Sequence, residues 1–570
     1  MSDSASCQRR LSIAKAAVLS WFRRRRRIIV TVAALLAFSV FFLWCPCDRN
    51  LLLRVIPDDV SIVSWHNNLA SEMNAFVRNP MMVDFLKAAG VDEAVDLADD
   101  VGTYQALFWL TGPETTLALQ LPDALRDSPG DLSSLSDLHT AISSKQNSLD
   151  GLSSDPPPLN GLRLYGISHL GWKRRLMEVL WGFRYVPGLG HIDTTESGTR
   201  YIVFRRSRTM RRLGLVLSLD MRHGHLLAVL SQDPDAVTSL VARADALAST
   251  PPPSFPEGPH HIFRIKGLPA PSPILASGSA DTPPPDRTSD WTLSIDTFRD
   301  KERLALHLAL GDKPAAGDWQ PTPPCKPPAN AGSPLVLASA SFPIDILPGA
   351  DPQDPPTGLT GSALLYGSPC SSTFCGFRVP GLVAFLPPEL PDPRRRVLAS
   401  LAADPSMGRK HPALKDVDLG VTVLDLRPVF SDIPFFKPDL EESPFLLVPP
   451  ESTPSTPPVF GSCLASYRRL AEMPDAVAPF LAEGAERLNA RDALPPEKRW
   501  IATGWIHLRS TIEVLDDVIN IVPLAAGVLP LNRKSLDQFL RWLHAVGELG
   551  TLHFAYREPF LLDVVFSREP

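Results

Sequence analysis

The feature that most constrains this chain is an uninterrupted apolar stretch near its N-terminus, residues 28–44 (IIVTVAALLAFSVFFLW), which carries no charged side chain. A helix of this length lies at the short end of the roughly 17 to 25 residues that cross the hydrocarbon core of a bilayer. Five consecutive arginines, at 23–27, precede it directly. Because the cytoplasmic flanks of membrane helices are enriched in Lys and Arg, this order predicts a basic cytoplasmic tail (1–27), a single transmembrane helix (28–45) and a body on the far side of the membrane.

A cleaved signal peptide is the alternative interpretation of the same stretch. Residues 37–39 (AFS) resemble a small-x-small cleavage site, but residues 40–44 (VFFLW) remain apolar where the chain after a cleavable signal is already polar. Trp44 is also too bulky for the small residue that precedes the cysteine of a lipid-attachment signal. We therefore predict an uncleaved, single-pass signal anchor in a bacterial inner membrane, with the N-terminus in the cytoplasm and the body in the periplasm.

The body alternates apolar and polar residues in several short segments, a pattern typical of half-buried antiparallel strands. Paired segments predict hairpins at 213–231, 291–310 and 552–566. Apolar residues recur with helical spacing in four further segments, at 70–89, 176–181, 233–247 and 535–546. Hairpins combined with scattered helices predict an α+β fold, in which antiparallel sheets pack against helices.

Length and proline content indicate how this body is divided. The chain has 570 residues, and single hydrophobic cores stop growing near about 250 to 300 residues. The proline-rich stretch 313–334 predicts a semi-rigid linker between an α+β half at 51–312 and a second at 335–570. Both halves place a strand before their last hairpin, which favours two similar halves that arose by duplication. The alternative, that any α+β protein shows such hairpins, stays open.

Four of the seven cysteines lie in the predicted body, where an oxidising compartment permits disulfides: Cys325, Cys370, Cys375 and Cys463. Cys370 and Cys375 enclose only four residues between turn-forming flanks, which predicts a local disulfide. A bridge between Cys325 and Cys463 then follows by elimination. Free thiols are one alternative, and a zinc site is another, although a four-thiolate site needs two close pairs and the sequence offers one.

Five arginines form the densest basic run outside the N-terminal tail: Arg205, Arg206, Arg208, Arg211 and Arg212. Basic residues near an anionic lipid surface each contribute about 1 kcal/mol of attraction, so this run is a candidate contact for lipid headgroups. A solvated hairpin loop is the alternative interpretation.

Motifs that carry chemistry are missing from the sequence. It contains no GxxxxGK[ST], GxGxxG, HExxH or GxSxG and no CxxC pair, so we predict no catalytic residue, no cofactor and no metal site. His223 and His225, which straddle a glycine turn, are expected to be solvated turn residues. The predicted tail holds a cluster of basic residues, and without them the rest of the chain has more acidic than basic side chains. This acidic body argues against nucleic acid as a partner.

Three segments, 55–73 (VIPDDVSIVSWHNNLASEM), 228–245 (AVLSQDPDAVTSLVARAD) and 502–515 (ATGWIHLRSTIEVL), resemble an uncharacterised bacterial family of envelope proteins with a single N-terminal anchor. The resemblance implies the anchored topology. It implies no activity, because the family has none assigned and offers no catalytic residues to carry over.

These observations predict a non-catalytic, membrane-anchored protein of the cell envelope that presents an extracytoplasmic interaction or binding domain. The membrane is one expected partner, and an envelope protein or lipid is another. Two alternatives stay open: a carrier of lipid or another apolar ligand, and an envelope hydrolase whose site is assembled from distant side chains. The oligomeric state is left open by the sequence.

Overall fold

A computed structural model describes residues 49–88, 101–121, 161–186, 189–204, 210, 213–247, 261–269, 288–295, 303–310, 324, 335–343, 360–374, 377–387, 413–418, 420–425, 427–428, 439–448, 457–495, 499–513, 533–557 and 561–568. The predicted tail and transmembrane segment lie outside these ranges, as does the predicted linker apart from Pro324. Within them, no helix combines the length and the apolar character that a membrane span requires.

In chain order the helices are α1 (Arg49–Arg54), α2 (Leu69–Val77), α3 (Pro80–Ala88), α4 (Val101–Leu110), α5 (Lys173–Gly182), α6 (Val237–Ala246), α7 (Leu464–Ala471), α8 (Pro474–Asp492) and α9 (Arg533–Gly547). The strands that precede the predicted linker are β1 (Ile62–Asn67), β2 (Glu114–Gln120), β3 (Arg163–His169), β4 (Tyr185–Val186), β5 (Gly190–Thr194), β6 (Arg200–Val203), β7 (Val216–Arg222), β8 (His225–Ser231), β9 (His261–Pro269), β10 (Thr288–Ile295) and β11 (Arg303–Leu310). Those that follow it are β12 (Val336–Pro343), β13 (Thr360–Phe374), β14 (Phe377–Phe385), β15 (Ala413–Asp418), β16 (Val421–Asp425), β17 (Phe445–Leu447), β18 (Val459–Gly461), β19 (Ala502–His507), β20 (Thr551–Arg557) and β21 (Leu561–Ser567).

The chain forms two compact units. Unit 1 comprises Met1–Pro57, Gln105–Thr116 and Leu164–Phe255, and unit 2 comprises Asp58–Tyr104, Leu117–Arg163 and Pro256–Pro570. These boundaries differ from the predicted halves, because the strands β9, β10 and β11 belong to unit 2 although they precede the predicted linker. The predicted α+β class is confirmed, since antiparallel strands predominate and helices pack against them.

Unit 1 contains an antiparallel sheet in the order β4, β5, β6, β7, β8, β3. Its predicted hairpin at 213–231 is confirmed as β7 and β8. The turn between them consists of His223 and Gly224, whose φ angles of 47° and 87° are the positive values that a type I′ turn requires. Helix α6 follows, but Asp233 does not cap it. The helix begins at Val237, and the Asp233 carboxylate instead accepts a hydrogen bond from the backbone N–H of Asp235 at 2.9 Å.

Unit 2 contains a longer antiparallel sheet, in the order β1, β9, β10, β11, β21, β20, β19, β12, β13, β14, β18, β17, β16, β15. Its largest core lies where α7 and α8 cover the strands from β19 to β18, around Trp505, Tyr366 and Phe480. A second core joins α3 to α9 and β11 through Met81 and Leu304. The predicted hairpins at 291–310 and 552–566 are confirmed in this unit.

Candidate functional site

Helix α5 of unit 1 presents an apolar stripe to solvent. Trp172, Leu176, Val179 and Phe183 follow the spacing i, i+4, i+7, i+11, which places them within an arc of about 60° on the helix surface. Val179 is 57% exposed and Phe183 is 75% exposed. Together with Tyr185, these residues make up five of the ten large apolar side chains that are exposed in the described part of the chain. Such a concentration within 14 residues makes this face a candidate interaction surface, whereas scattered apolar side chains on a surface are ordinary. We call these five residues the α5 stripe.

The opposite face of α5 holds the helix in place. Met177 and Trp181 are buried in the core of unit 1, beside strands β5 and β6. Lys173 is buried on this same face, where its ammonium group donates hydrogen bonds to the carbonyl oxygens of Phe108 and Thr111, the latter at 2.5 Å. These carbonyls lie at the C-terminal end of α4, where backbone acceptors are otherwise left without partners. Burial lowers the pKa of Lys173 to about 8.

Helix α5 carries basic side chains outside the stripe, with Arg175 beside it and Arg174 on the opposite side of the helix. Arg174 and Arg175 both bind the Glu178 carboxylate, at 2.9 and 3.0 Å. Burial tends to raise the pKa of Glu178, but the hydrogen bonds from these two arginines outweigh it and hold that pKa below its ordinary value. Arg184 follows the helix and is exposed. Within residues 172–185, one acidic side chain therefore stands against four basic ones.

Unit 2 contains a second distinctive feature, a polar cluster inside the protein. The Asp563 carboxylate on β21 accepts a hydrogen bond from the His307 Nδ1 of β11 at 2.7 Å and another from the Arg557 guanidinium at 2.7 Å. Asp563 is fully buried. Burial alone would raise its pKa, but the hydrogen bonds from His307 and Arg557 hold the pKa below its ordinary value, so the carboxylate is charged.

Glu483 and Arg487 of α8 are further polar residues buried in unit 2. The Glu483 carboxylate accepts hydrogen bonds from Arg487, at 2.5 Å, and from the Trp505 indole, at 2.8 Å. His553 on β20 is 3% exposed, and its Nδ1 has no hydrogen-bond partner within the described residues. Burial and, to a smaller extent, the positive charge of Arg487 together lower the pKa of His553 to about 4.

One part of this cluster resembles the arrangement of groups used in nucleophilic catalysis. Ser294 on β10 pairs directly opposite His307, whose Nδ1 is held by Asp563. However, Ser294 and Asp563 are both 0% exposed and His307 is also buried, so no substrate reaches the Ser294 hydroxyl. His307, Asp563 and Arg557 satisfy one another within the sheet, whereas the Ser294 hydroxyl has no hydrogen-bond partner among the described residues.

A buried histidine pair lies at the other end of the sheet of unit 2. The Nδ1 atoms of His66 and His261 are 2.7 Å apart, which requires one ring to donate and the other to accept. His66 also contacts the Ser64 hydroxyl through Nε2, at 2.8 Å. Burial lowers the pKa of His66 to about 3, with a further contribution from His261. The prediction of a solvated turn residue is wrong for His225, whose side chain is buried, whereas His223 is exposed.

Two cavities among the described residues are either small or open to solvent. An apolar cavity beside Leu414, Phe445 and Phe460 measures about 40 Å³, well below the roughly 300 Å³ of a typical ligand pocket. A cleft of about 320 Å³ at the end of α9 is lined mainly by polar groups, among them Arg509, which is paired with Glu513. Within the described ranges, no three His, Cys, Asp or Glu side chains lie close enough together to hold a metal ion.

The residues predicted from the sequence as disulfide or lipid contacts are only partly described. Cys463 is a buried free thiol, whose Sγ donates to the Glu441 carbonyl oxygen at 3.4 Å. Cys325 and Cys375 lie outside the described residues. Because Cys463 is a free thiol, the predicted bridge between Cys325 and Cys463 is not formed in this structure, while the bridge between Cys370 and Cys375 stays a prediction. Cys370 lies in β13, which runs on in extended form to Phe374, so a bridge from Cys370 to Cys375 would require this strand to bend back. The candidate headgroup contacts also lie outside the described residues: Arg205, Arg206, Arg208, Arg211 and Arg212.

Comparison with known proteins adds no assignment. No family model, no curated protein and no solved structure matches this chain. The resemblance to an uncharacterised family of envelope proteins therefore stays a prediction. The α5 stripe was missed by sequence reasoning, which found the helix at 176–181 but not which of its faces is covered.

Proposed function

We propose that this chain is a non-catalytic, membrane-anchored envelope protein whose extracytoplasmic body presents a binding surface. The α5 stripe carries the proposal, because it is an apolar surface held on a rigid helix and left uncovered among the described residues. The polar groups inside unit 2 support the non-catalytic part, since the carboxylates of Asp563 and Glu483 are bound by their neighbours and these groups are closed to solvent.

The N-terminal anchor is supported by the way the chain enters unit 1. Helix α1 begins only a few residues after the predicted transmembrane helix, and Leu51, Leu52 and Val55 are buried. The segment that follows the predicted anchor is thus part of the folded body and not a free tether.

We also infer that the body is built from two similar halves. In unit 2, the order β1, β9, β10, β11 matches the order β12, β19, β20, β21, and every pairing in both series is antiparallel. The same correspondence relates β3, β8, β7, β6, β5 of unit 1 to β14, β18, β17, β16, β15 of unit 2. The connections that leave β3 and β14 also carry similar sequences, KRRLMEVL at 173–180 and RRRVLASL at 394–401.

The test of the proposal is the topology of the full chain in bacterial cells. We expect the chain to resist extraction from membranes by alkaline carbonate. A reporter fused after Pro570 should be active if it requires an oxidising compartment and inactive if it requires the cytoplasm. Replacing the five arginines at 23–27 by asparagine is the matched control, because it leaves the apolar stretch intact and should weaken this orientation. Extraction by carbonate, or a C-terminal reporter active only in the cytoplasm, would refute the proposed anchoring.

A further inference from the structure

We propose that the α5 stripe rests on the lipid bilayer, at the surface of the membrane that holds the predicted anchor. This inference rests on the proposed envelope function and names the partner of its binding surface. The stripe consists of Trp172, Leu176, Val179, Phe183 and Tyr185.

The chemistry of the stripe fits a membrane interface. A helix that lies in the interface buries an apolar face with Trp, Phe or Leu and carries Lys or Arg on its polar face. Trp and Tyr are enriched where hydrocarbon meets headgroups, and here Trp172 and Tyr185 stand at the two ends of the stripe. A narrow row of aromatic and aliphatic side chains inserts into the headgroup region without requiring a partner of matching shape.

The charge around the stripe fits an anionic surface. Arg175 lies about 40° around the helix from Val179, and Arg184 follows the helix, while Glu178 is the acidic residue of this segment. Glu178 is already bound by two arginines, so its repulsion from lipid phosphates is reduced. Basic side chains reach headgroups while their aliphatic stems cover apolar surface.

The length of chain before α1 keeps unit 1 close to the membrane. The predicted transmembrane helix ends at residue 45, and α1 begins at Arg49. Even fully extended, the intervening chain reaches only about 15 Å. Because Leu51 and Leu52 of α1 are buried and α1 belongs to the same unit as α5, unit 1 cannot leave the bilayer surface without losing these contacts. The predicted anchor thereby keeps unit 1, which carries the α5 stripe, close to the membrane.

Photo-crosslinking tests this placement in the full chain. A benzophenone amino acid is introduced at Val179 or at Phe183, and each variant is reconstituted into vesicles of phosphatidylethanolamine and phosphatidylglycerol. The matched control carries the same group at Asp245, an exposed position on α6 of the same unit. We expect lipid adducts at 179 and 183 to exceed those at 245 several-fold. Adducts at 179 and 183 that are no more frequent than at 245, or that form with protein in place of lipid, would overturn the inference.

The same vesicles separate this inference from the proposed anchoring. A chain that resists carbonate but gives no excess of lipid adducts overturns the placement of the stripe alone. A chain released by carbonate overturns the anchoring as well.

Tryptophan emission gives a second readout that needs no crosslinker. Bromine atoms on lipid quench the emission of indoles that lie at the membrane interface. Trp172→Phe should therefore lower the fraction of tryptophan emission that vesicles of brominated lipid quench in the wild-type chain. Trp542→Phe, which removes an exposed tryptophan of unit 2, is the control for the loss of one fluorophore. If Trp172→Phe leaves the quenched fraction unchanged, the stripe does not contact lipid.

Discussion

The buried carboxylate of Asp563 offers the sharpest test of the interior of unit 2, through the substitution Asp563→Asn. The asparagine keeps the shape of the side chain and leaves no cavity, but it removes the negative charge that two donors share. His307 and Arg557 each donate to this carboxylate at 2.7 Å, and the side chain of Asp563 is 0% exposed.

The magnitude follows from these contacts. Asparagine retains one acceptor oxygen but turns an amide N–H₂ toward the other donor, so one charge-assisted hydrogen bond is lost and Arg557 is left largely unpaired. A hydrogen bond to a charged group contributes roughly 1.5 to 3 kcal/mol, and removing one partner of a buried ion pair costs about 3 to 5 kcal/mol. We therefore expect Asp563→Asn to lower the free energy of unfolding by about 3 kcal/mol.

The assay is urea unfolding followed by tryptophan emission, since the Arg557 guanidinium lies 5.7 Å from the centre of the Trp500 ring. A loss of this size should lower the urea midpoint by roughly 1 M. Asp290→Asn is the matched control. It breaks the pair of Asp290 with Arg264, whose side chains are each about one-third exposed, so a loss below about 1 kcal/mol is expected. Equal losses in the two variants would refute the argument that burial makes the Asp563 contacts strong.

Two further predictions concern proton uptake and backbone packing. The pKa values of His66 and His553 in the folded chain are about 3 and about 4, below the ordinary 6.5. As the pH is lowered, these histidines therefore bind protons in the unfolded chain before they do so in the folded chain. Their contribution to the free energy of unfolding is fully present above pH 6.5 and falls as the pH drops toward the folded pKa values. Each group contributes a slope of about 1.4 kcal/mol per pH unit, and His66→Gln or His553→Gln should remove its share from the urea midpoints measured between about pH 7 and about pH 5. Gly504→Ala should lower the free energy of unfolding of unit 2 by several kcal/mol, because a Cβ at this position would overlap the backbone oxygen of Leu337 in the neighbouring strand. Gly182→Ala is the control for urea unfolding. Its Cβ would lie in open space, so the variant should be neutral or slightly more stable.

Hairpins could be predicted from the sequence because their information is local. The alternation of apolar residues and the turn at His223 and Gly224 fix the register of β7 against β8 without reference to the rest of the chain. The contact of His307 with Asp563 has no such signal. The two residues are separated by 256 positions, and they meet only because β11 pairs with β21 in one register.

The faces of α5 show why the candidate site escaped prediction. Both faces carry large apolar residues, Met177 and Trp181 on one and Val179 and Phe183 on the other, so periodicity predicts a helix but not which face is covered. Lys173 misleads further, because a lysine ordinarily marks the solvated side. Here it lies on the buried face, where the open carbonyls at the end of α4 accept its hydrogen bonds.

The two units differ in whether their distinctive side chains are covered by the protein itself. In unit 2 the buried charges of Asp563 and Glu483 are bound by arginine and other donors, so these groups stabilise the sheet and α8. In unit 1 the inner face of α5 is buried, while Val179 and Phe183 on its outer face are exposed to water. Exposed apolar side chains cost free energy that burial would recover. A polar substitution at either position would increase solubility without disturbing the core beneath. A partner that removes these side chains from water would offset this cost, and we propose a lipid surface as that partner.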